Sequence, residues 1–393
     1  MVDVQGEVQP GFEAVREAFA VNFDDDEDVG AAFCLHVDGT KVVDVWAGVA
    51  DQDTGRAWEE DTLQLVFSTT KGAVAICAAM LAERGELDVD APVAEYWPEF
   101  AAEGKGDVPV RWLLCHKTGL ITTDADLSLD EVLAVEPVVE ALAAQKPYWE
   151  PGTAHGYHAL TYGWLLGEVI RRVSGRTVGT FFAEEVAGPL GLDFWIGLPE
   201  EEEPRVAPLI PLELPDDPAV REMARAILGP ETMLGRALTL DGALGALDFD
   251  EDADDEPNVF NTREVRASEI PAANGVATAR ALSRMYAATI GEVDGVRLLA
   301  PETLEQARTA QTDGVDQVLM FESVFGLGFM LRSPMTPMLD EGSFGHAGAG
   351  GSQGYADPES GVAFGYVMNK MTAQITGDPR TARLTRAVEE SLR

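Results

Sequence analysis

Lysine is the residue that this sequence has least of among the common charged types. Only six of its 393 residues are lysines, whereas Asp and Glu together number 68 and the formal net charge is −40. A protein this acidic repels nucleic acids and anionic membranes, because both carry negative charge themselves. The composition therefore predicts that neither is a partner.

Cysteines and long apolar runs are scarce as well. Cys34, Cys77 and Cys115 lie in apolar or mixed segments without metal-ligand spacing, which indicates reduced thiols in the cytosol. Residues 1–10 are polar and resemble no secretion signal, and no apolar run approaches the ~20 residues needed to cross a bilayer. The acidic stretch from 248 to 256 lacks the glycine and the glutamate of a calcium loop. We therefore expect a cytoplasmic protein without a metal, and a solvated loop at 248–256.

Hydrophobic periodicity predicts an α+β fold. Strands are expected at 31–37 and 41–49, joined by Asp38-Gly39, which is a strong hairpin signal. Residues 73–190 have mostly helical periodicity, with regular apolar spacing at 132–144 and 160–173, and the region 199–260 is acidic, rich in proline and irregular. Helices are also expected at 10–23, 278–290 and 379–392, and strands at 324–331, 353–356 and 362–369. The pattern predicts an antiparallel sheet domain built from both termini (1–75 and 300–393), flanked by terminal helices, with an inserted, mostly helical domain at 76–299.

Ser68 and Lys71 carry the strongest chemical signal. They belong to Ser68-Thr69-Thr70-Lys71, directly before the apolar run 72–81, and on a helix they would share one face. A serine hydroxyl is a poor nucleophile without a base, and a lysine whose pKa is lowered by burial can be that base. The alternative is a serine that caps the helix beside a solvated lysine. Because the run is apolar on every side, it favours a buried helix that carries Lys71 inward.

Ser352 belongs to a competing motif. Gly350-Gly351-Ser352-Gln353-Gly354 fits the G-x-S-x-G pattern, which needs a strand-to-helix turn and a later acid and histidine. None of the five histidines follows Ser352, and the next segment has the pattern of a strand. We therefore do not expect Ser352 to be the nucleophile. His155 and His158 are three residues apart without a third nearby ligand, so structural roles are favoured over a metal site.

Three motifs in order give the chain a family resemblance. Ser68-Thr69-Thr70-Lys71, Tyr157-His158-Ala159 and His346-Ala347-Gly348 resemble the S-x-x-K, tyrosine and K/H/W-x-G motifs of the serine β-lactamase and penicillin-binding-protein superfamily. Within that superfamily the chain is most similar to class C-like carboxylesterases. The segments 113–120 and 151–153 resemble two of the family's supporting turns. The resemblance extends from about residue 10 to about residue 390 and implies a β-lactamase/transpeptidase-like fold.

The resemblance also implies roles for individual residues. Ser68 would attack an acyl carbon, Lys71 and Tyr157 would move the proton, and a nearby ammonium would ease ionisation of the tyrosine. The backbone N–H groups of Ser68 and Ala349 would form the oxyanion hole. The residues implied to bind substrate are His346, Gly348 and Ala159. No cofactor is implied. Without the resemblance, Tyr157 would be read as a core tyrosine and His346 as a histidine at a sheet edge.

Departures from the family pattern narrow the function. Ala159 stands where the lactamases and peptidoglycan enzymes usually have an asparagine, and His346 stands where they usually have a lysine. The alanine removes a side-chain donor that would bind an amide. The histidine weakens the positive charge that would bind a substrate carboxylate. The sequence therefore predicts a serine hydrolase for small carboxylic esters, whose partner is a small-molecule ester or amide. The alternatives are a β-lactamase or D-amino-acid peptidase or amidase, and a binding relative without catalysis.

The charge balance generates a first testable prediction. Excess acid with scarce lysine resembles proteins from salt-accumulating microbes, and salt shortens the Debye length from ~10 Å at 0.1 M to ~3 Å at 1 M. Because screening relieves the self-repulsion of the acidic surface, we expect the melting temperature to rise from low salt to ~1 M KCl. Scanning calorimetry across that series measures it. A flat response would contradict the halophilic interpretation and leave the catalytic one untouched.

Overall fold

The computed structural model describes residues 2–24, 28–212, 217–245, 258–374 and 376–393. The acidic stretch 248–256 lies outside the described residues, so the solvated loop there stays a prediction.

The strands are β1 (Gln5–Val8), β2 (Gly30–Val37), β3 (Thr40–Asp51), β4 (Arg56–Ala57), β5 (Gln64–Leu65), β6 (Phe194–Trp195), β7 (Val276–Ala277), β8 (Met330–Leu331), β9 (Phe344–Ala347), β10 (Gln353–Asp357) and β11 (Val362–Met368). The α-helices are α1 (Glu13–Val21), α2 (Thr70–Glu83), α3 (Val93–Tyr96), α4 (Val110–Leu114), α5 (Leu129–Leu133), α6 (Glu136–Ala144), α7 (Thr161–Ser174), α8 (Val178–Phe182), α9 (Gly188–Leu190), α10 (Pro218–Leu228), α11 (Met233–Thr239), α12 (Arg263–Ala267), α13 (Ala279–Ile290), α14 (Pro301–Arg308) and α15 (Pro379–Ser391).

The main sheet is antiparallel and joins the two ends of the chain. Its strand order is β1-β3-β2-β11-β10-β9-β8, and β4 adds to β3. The predicted hairpin between β2 and β3 is present, with Asp38 at φ 48° and Gly39 at φ 73°, as a two-residue turn with left-handed backbone requires. The α+β fold expected from the sequence is confirmed.

Helices cover both faces of this sheet. Along β2, Phe33 and Leu35 pack in one core cluster with residues of α1 and α15, whereas Cys34 belongs to the opposite cluster. On that opposite face α13 packs against the sheet, and its Ser283 hydroxyl donates to the Ala363 carbonyl at 2.8 Å. Helix α13 thus lies on the sheet although the predicted boundary at 300 assigns it to the inserted domain. The boundaries at 75 and 300 stay predictions.

Helix α2 is the central helix of the part between the sheet segments. It is buried along most of its length, and the Lys71 side chain in its first turn has no exposed surface. It packs against α7 and α8, which are themselves lined with apolar residues. The predicted buried helix after Ser68 is therefore confirmed, and its consequence is a lysine amine placed inside the protein.

Several predicted elements differ from the observed ones. The helix expected at 132–144 is two helices, because a capping box of Ser128 and Glu131 starts α5 and the chain then turns at Val135, where φ is 68°. The strand expected at 324–331 is reduced to β8, and the region expected to be irregular contains α10 and α11. Strand β1 was not predicted, because Gln5–Val8 is short and half polar; it pairs with β3.

Within the described ranges, no helix has both the length and the apolar character that a membrane crossing requires. The three cysteines are free and buried, as expected from the sequence.

Candidate active site

A strained turn presents Ser68. Phe67–Thr69 forms one turn of 3-10 helix ahead of α2, and Phe67 has φ 44°, which an L-residue rarely adopts. The Phe67 ring packs edge-to-face on Phe260 with centroids 4.9 Å apart, which holds the turn in place. Ser68 is partly exposed while both its neighbours are buried, and it makes no helix-capping hydrogen bond. The alternative of a capping serine is therefore wrong.

Lys71 lies against Ser68 and two backbone carbonyls. Its Nζ is 3.0 Å from Ser68 Oγ, 2.6 Å from the Ala159 carbonyl oxygen and 3.0 Å from the Ala272 carbonyl oxygen. Burial lowers the pKa of Lys71 well below its ordinary value of 10.5. The structure therefore favours a neutral amine next to the Ser68 hydroxyl. The carbonyl of Ala159 holds the lysine, and the expected contact of Ala159 with substrate stays a prediction.

Tyr157 completes the cluster but is not poised to ionise. Its ring centroid is 4.8 Å from Lys71 Nζ, and it is almost fully buried. Burial raises the pKa of Tyr157 above its usual 10, although a hydrogen bond with Ser68 opposes the rise. The expectation that an ammonium eases its ionisation is thus wrong for this structure, because desolvation of the phenolate dominates and Lys71 itself favours the neutral form.

A buried carboxylate that the sequence analysis missed positions Tyr157. Asp316 Oδ1 accepts the backbone N–H of Tyr157 at 3.0 Å and those of Val318 and Leu319 at 2.8 and 2.9 Å. Its other oxygen accepts the Ser323 hydroxyl at 3.1 Å. Asp316 fixes the backbone on which the phenol is carried. No sequence motif marks it, since it lies 159 residues after Tyr157.

The histidines next to Tyr157 support it structurally. His158 Nδ1 lies 2.6 Å from the Gly156 carbonyl oxygen, and its Nε2 lies 2.6 Å from the Thr118 hydroxyl. The His158 backbone N–H donates to His116 Nδ1 at 3.2 Å, and the His116 ring packs 5.0 Å from that of Tyr157. Burial lowers the pKa of His158 to about 4 and that of His116 well below 6.5, so both rings are neutral at neutral pH. In the described part of the chain no cluster of three His, Cys, Asp or Glu side chains suits a metal.

His346 lies on β9 beside the phenol. Its ring centroid is 6.1 Å from that of Tyr157, and its Nδ1 is 2.7 Å from the Ala347 carbonyl oxygen. Its Nε2 is buried and has no partner among the described residues. Burial lowers the pKa of His346 to about 3, so this ring carries no positive charge at neutral pH.

Ser352 connects the segment that follows the His346-Ala347-Gly348 motif to the turn that carries Ser68. Its Oγ donates to the Val66 carbonyl oxygen at 2.8 Å and lies 3.0 Å from Thr69 Oγ1. A side chain at Gly348 would meet the Val66 carbonyl oxygen at 2.2 Å and Ser352 Oγ at 2.3 Å. The glycine is therefore required by this close approach between chain segments, and its expected contact with substrate stays a prediction. Ser352 is buried and follows a strand-loop-strand path, as the rejection of the elbow motif predicted.

The contacts of Ser352 with Val66 and Thr69, here called the Ser352 clamp, bring the backbone N–H groups of Ser68 and Ala349 to the same region. Ala349 follows Gly348 directly, and Ser68 lies between the two residues that Ser352 contacts. Neither the Ser68 N–H nor the Ala349 N–H donates to an acceptor in the described ranges. Backbone N–H groups without an acceptor suit a carbonyl oxygen that gains charge, and the oxyanion hole formed by these two stays a prediction.

Comparisons with known proteins identify the family of the chain. The family model described as Beta-lactamase matches residues 19–387. The "Esterase/beta-lactamase LipL" of Mycobacterium tuberculosis is 38% identical over 392 residues, covering 95% of this chain and 84% of that protein. A crystal structure of a family VIII carboxylesterase aligns with a TM-score of 0.86 at 37% identity, covering 99% of this chain and 100% of the other. EstA from Arthrobacter nitroguajacolicus Rue61a aligns with a TM-score of 0.86 at 35% identity, covering 99% of this chain and 98% of the other.

The fold, the cluster of Ser68, Lys71 and Tyr157, and the comparisons together define the class of protein. It is a serine hydrolase with a β-lactamase-like fold. The chain belongs to the beta-lactamase family, and among the solved structures it is similar to a family VIII carboxylesterase and to EstA.

The clamp generates a prediction on stability. Ser352→Ala removes one of two donors to the buried Val66 carbonyl oxygen, which keeps the Thr69 N–H at 3.2 Å, so we expect the free energy of unfolding to fall by about 0.5–1.5 kcal/mol. Urea denaturation measures it. The matched control is Ser391→Ala near the end of α15, where the hydroxyl bonds only to the preceding helical turn and the change should stay within about 0.5 kcal/mol. Equal stability of the two variants would mean that Ser352 contributes no clamp.

Proposed function

We propose that this protein hydrolyses small carboxylic esters through an acyl-enzyme on Ser68, with Lys71 as the base and Tyr157 as a proton carrier. The observation that carries the proposal is the hydrogen bonding of Lys71. A neutral amine has two N–H donors and one lone pair. In that form the carbonyls of Ala159 and Ala272 accept the two N–H groups, and Nζ, 3.0 Å from Ser68 Oγ, accepts the hydroxyl proton; in the ammonium form Nζ donates to all three oxygens instead.

The chemistry follows from this arrangement. Ser68 Oγ attacks the acyl carbon while its proton passes to Lys71 Nζ. The substrate's carbonyl oxygen becomes negative and accepts hydrogen bonds from the N–H groups of Ser68 and Ala349. When the tetrahedral intermediate collapses, the C–O bond to the alcohol breaks and the leaving oxygen takes a proton from Tyr157, which Lys71 replaces. Water then attacks the acyl-enzyme by the reverse proton path and releases the acid.

The surroundings of the cluster favour esters over amides and lactams. His346 is neutral, so it offers a substrate carboxylate a hydrogen-bonding nitrogen but no cation. Ala159 has no side-chain donor for an amide. The similarity to a family VIII carboxylesterase and to EstA supports the same choice. β-Lactam hydrolysis stands as the second candidate, because the relative LipL is named as both an esterase and a β-lactamase.

The proposal includes a cytosolic location and a salt-adapted surface. Three free, buried thiols support a reducing compartment. The net charge of −40 supports adaptation to salt.

Substitutions at the cluster test the proposal. Against p-nitrophenyl butyrate we expect Ser68→Ala and Lys71→Arg to lower kcat/KM by about 10³-fold or more, since one removes the nucleophile and the other leaves a permanent cation. Tyr157→Phe should cost about 10²- to 10⁴-fold, the usual range for a positioned proton donor. Nitrocefin turnover measured in parallel should be far slower than ester turnover.

Labelling locates the nucleophile independently of rates. A fluorophosphonate probe followed by digestion and mass spectrometry should modify the peptide with Ser68 and leave the peptide with Ser352 unmodified. Full ester activity in folded Ser68→Ala, or label on Ser352, would contradict the proposed mechanism. Nitrocefin turnover equal to ester turnover would shift the assignment to the second candidate. A protein that neither cleaves nor labels would be the binding relative without catalysis.

A further inference from the structure

A charged side chain lies fully buried behind the turn that carries Ala349. Arg380, in the first turn of α15, has no exposed surface. Its Nη2 donates to the Gly350 carbonyl oxygen at 2.6 Å, across 30 residues of chain. The proposed mechanism uses the N–H of Ala349, the neighbour of Gly350, but gives Arg380 no part.

The guanidinium of Arg380 has an acceptor for each of its five N–H groups. Nε and Nη2 donate to the two carboxylate oxygens of Asp378 at 3.0 and 2.9 Å. Nη1 donates to Asp28 Oδ1 at 2.8 Å and to the Lys370 carbonyl oxygen at 3.0 Å. The second N–H of Nη2 is the one that Gly350 accepts. Because the guanidinium is planar and stays charged, the two carboxylates fix the direction of this last donor.

The turn around Ala349 is shaped to receive that donor. It is closed by the Gly351 N–H, which donates to the Gly348 carbonyl oxygen at 3.1 Å. Gly350 has φ 83° and ψ −9°, the angles of position i+2 in a type II turn, which favours glycine. A side chain at Gly351 would meet Arg380 Nη2 at 2.2 Å, so the guanidinium requires the absence of a side chain there.

Ala349 thus lies between two anchored neighbours. On one side the Gly348 N–H donates to the Ser352 carbonyl oxygen at 2.8 Å. On the other side the next carbonyl oxygen accepts the Thr372 N–H at 3.2 Å and the charged Arg380 N–H at 2.6 Å. A charged donor makes the stronger hydrogen bond, so Arg380 is the main anchor on that side. An oxyanion donor is effective because its direction is fixed before the reaction begins.

We infer that Arg380 is a positioning residue for the proposed ester hydrolysis: by holding the Gly350 carbonyl, it keeps the Ala349 N–H aimed at the oxygen that gains charge when Ser68 attacks. The inference rests on the proposed function, in which that N–H is one of two oxyanion donors. It gives the C-terminal helix α15 a part in catalysis, although Arg380 itself touches no reacting atom.

Arg380→Lys tests the inference, because lysine keeps the charge and loses the planar fork. Its amine has three N–H groups where the arginine serves five acceptors, and the two carboxylates compete for them. The Gly350 carbonyl therefore loses its charged donor. Against p-nitrophenyl butyrate we expect kcat to fall about 10- to 100-fold while KM changes by less than about twofold, since loss of a whole oxyanion donor costs about 10²- to 10³-fold.

Tyr366→Phe is the matched control for this variant. The Tyr366 hydroxyl donates to Asp28 at 2.6 Å, so its loss disturbs the same buried charges without removing a contact to the turn. We expect its kcat to stay within about twofold of the wild type. Complete labelling with the fluorophosphonate probe counts the active sites and so corrects for any difference in folded fraction. Equal losses of kcat in Tyr366→Phe and Arg380→Lys would overturn the inference.

A trifluoromethyl ketone with a propyl chain reports on the oxyanion itself. Ser68 Oγ bonds to the carbonyl carbon, the hydroxyl proton passes to Lys71, and the ketone oxygen takes the electron pair of the C=O π bond and becomes an oxyanion. We expect Arg380→Lys to raise Ki by the factor by which kcat falls, because both depend on the same developing charge. A reduced kcat with an unchanged Ki would overturn the positioning role.

Amide hydrogen exchange tests the anchor without using activity. The N–H groups of Gly351 and Thr372 are hydrogen-bonded in the anchored turn. We expect both to exchange about fivefold faster or more in Arg380→Lys and at the wild-type rate in Tyr366→Phe. Unchanged exchange in Arg380→Lys would overturn the anchor. If the wild type cleaves no ester, the proposed function fails, and the exchange rates still decide whether Arg380 holds the turn.

A double variant serves if Arg380→Lys does not fold. Arg380→Gln combined with Asp28→Asn removes both charges of a buried ion pair, which costs less stability than removing one. Asp28→Asn alone is its control, because it leaves the contact between Arg380 and Gly350 in place. We expect the losses in kcat and in ketone affinity in the double variant and not in the control. Equal losses in both would overturn the inference.

Discussion

The structure depends on one buried contact, between the amine of Lys71 and its three oxygen neighbours. Removing an ammonium from water without a carboxylate partner is costly, so burial favours the neutral form. The Ala159 and Ala272 carbonyls come from distant parts of the chain, and each makes a hydrogen bond with Nζ. Because the folded pKa lies below the unfolded one, the unfolded chain binds more protons between the two values. The contribution of Lys71 to stability therefore rises with pH across that window.

The remaining architecture holds the partners of that amine. The sheet joins the chain ends through pairing of β2 with β11, and this brings the loop at 348–352 over the turn at 67–69. Ser352 then fastens the two segments, and Asp316 fixes the backbone of Tyr157. Groups that the chain separates by hundreds of residues thus meet around one hydroxyl. The G-x-S-x-G motif around Ser352, which resembled the motif of a second nucleophile, instead helps to hold these segments together.

Sequence reasoning reached the local part of this arrangement. Ser68 and Lys71 are three residues apart, so helical geometry alone places them together, and the all-round apolar run predicts the burial of the lysine. The β2–β3 hairpin follows from Asp38-Gly39 in the same local way. Tyr157 and His346 were found only through family resemblance. Asp316, Ala272 and the role of Ser352 were missed, because each acts through a contact across the fold that leaves no periodic or spacing signal. The ionisation of Tyr157 was misjudged because burial, which raises its pKa, is a property of the packed structure.

Measuring the charge state of Lys71 tests the account most directly, and the small number of lysines makes that measurement practical. With six lysines, selective ¹³Cε labelling gives a simple spectrum, and Lys71→Met assigns the signal. Lys105 is an internal reference, since its amine is also held by two carbonyls but burial lowers its pKa only to about 8. The account predicts that Lys71 titrates below Lys105 and is neutral in the pH range where the enzyme acts. A Lys71 that titrates together with the exposed lysines, near its ordinary value, would contradict it.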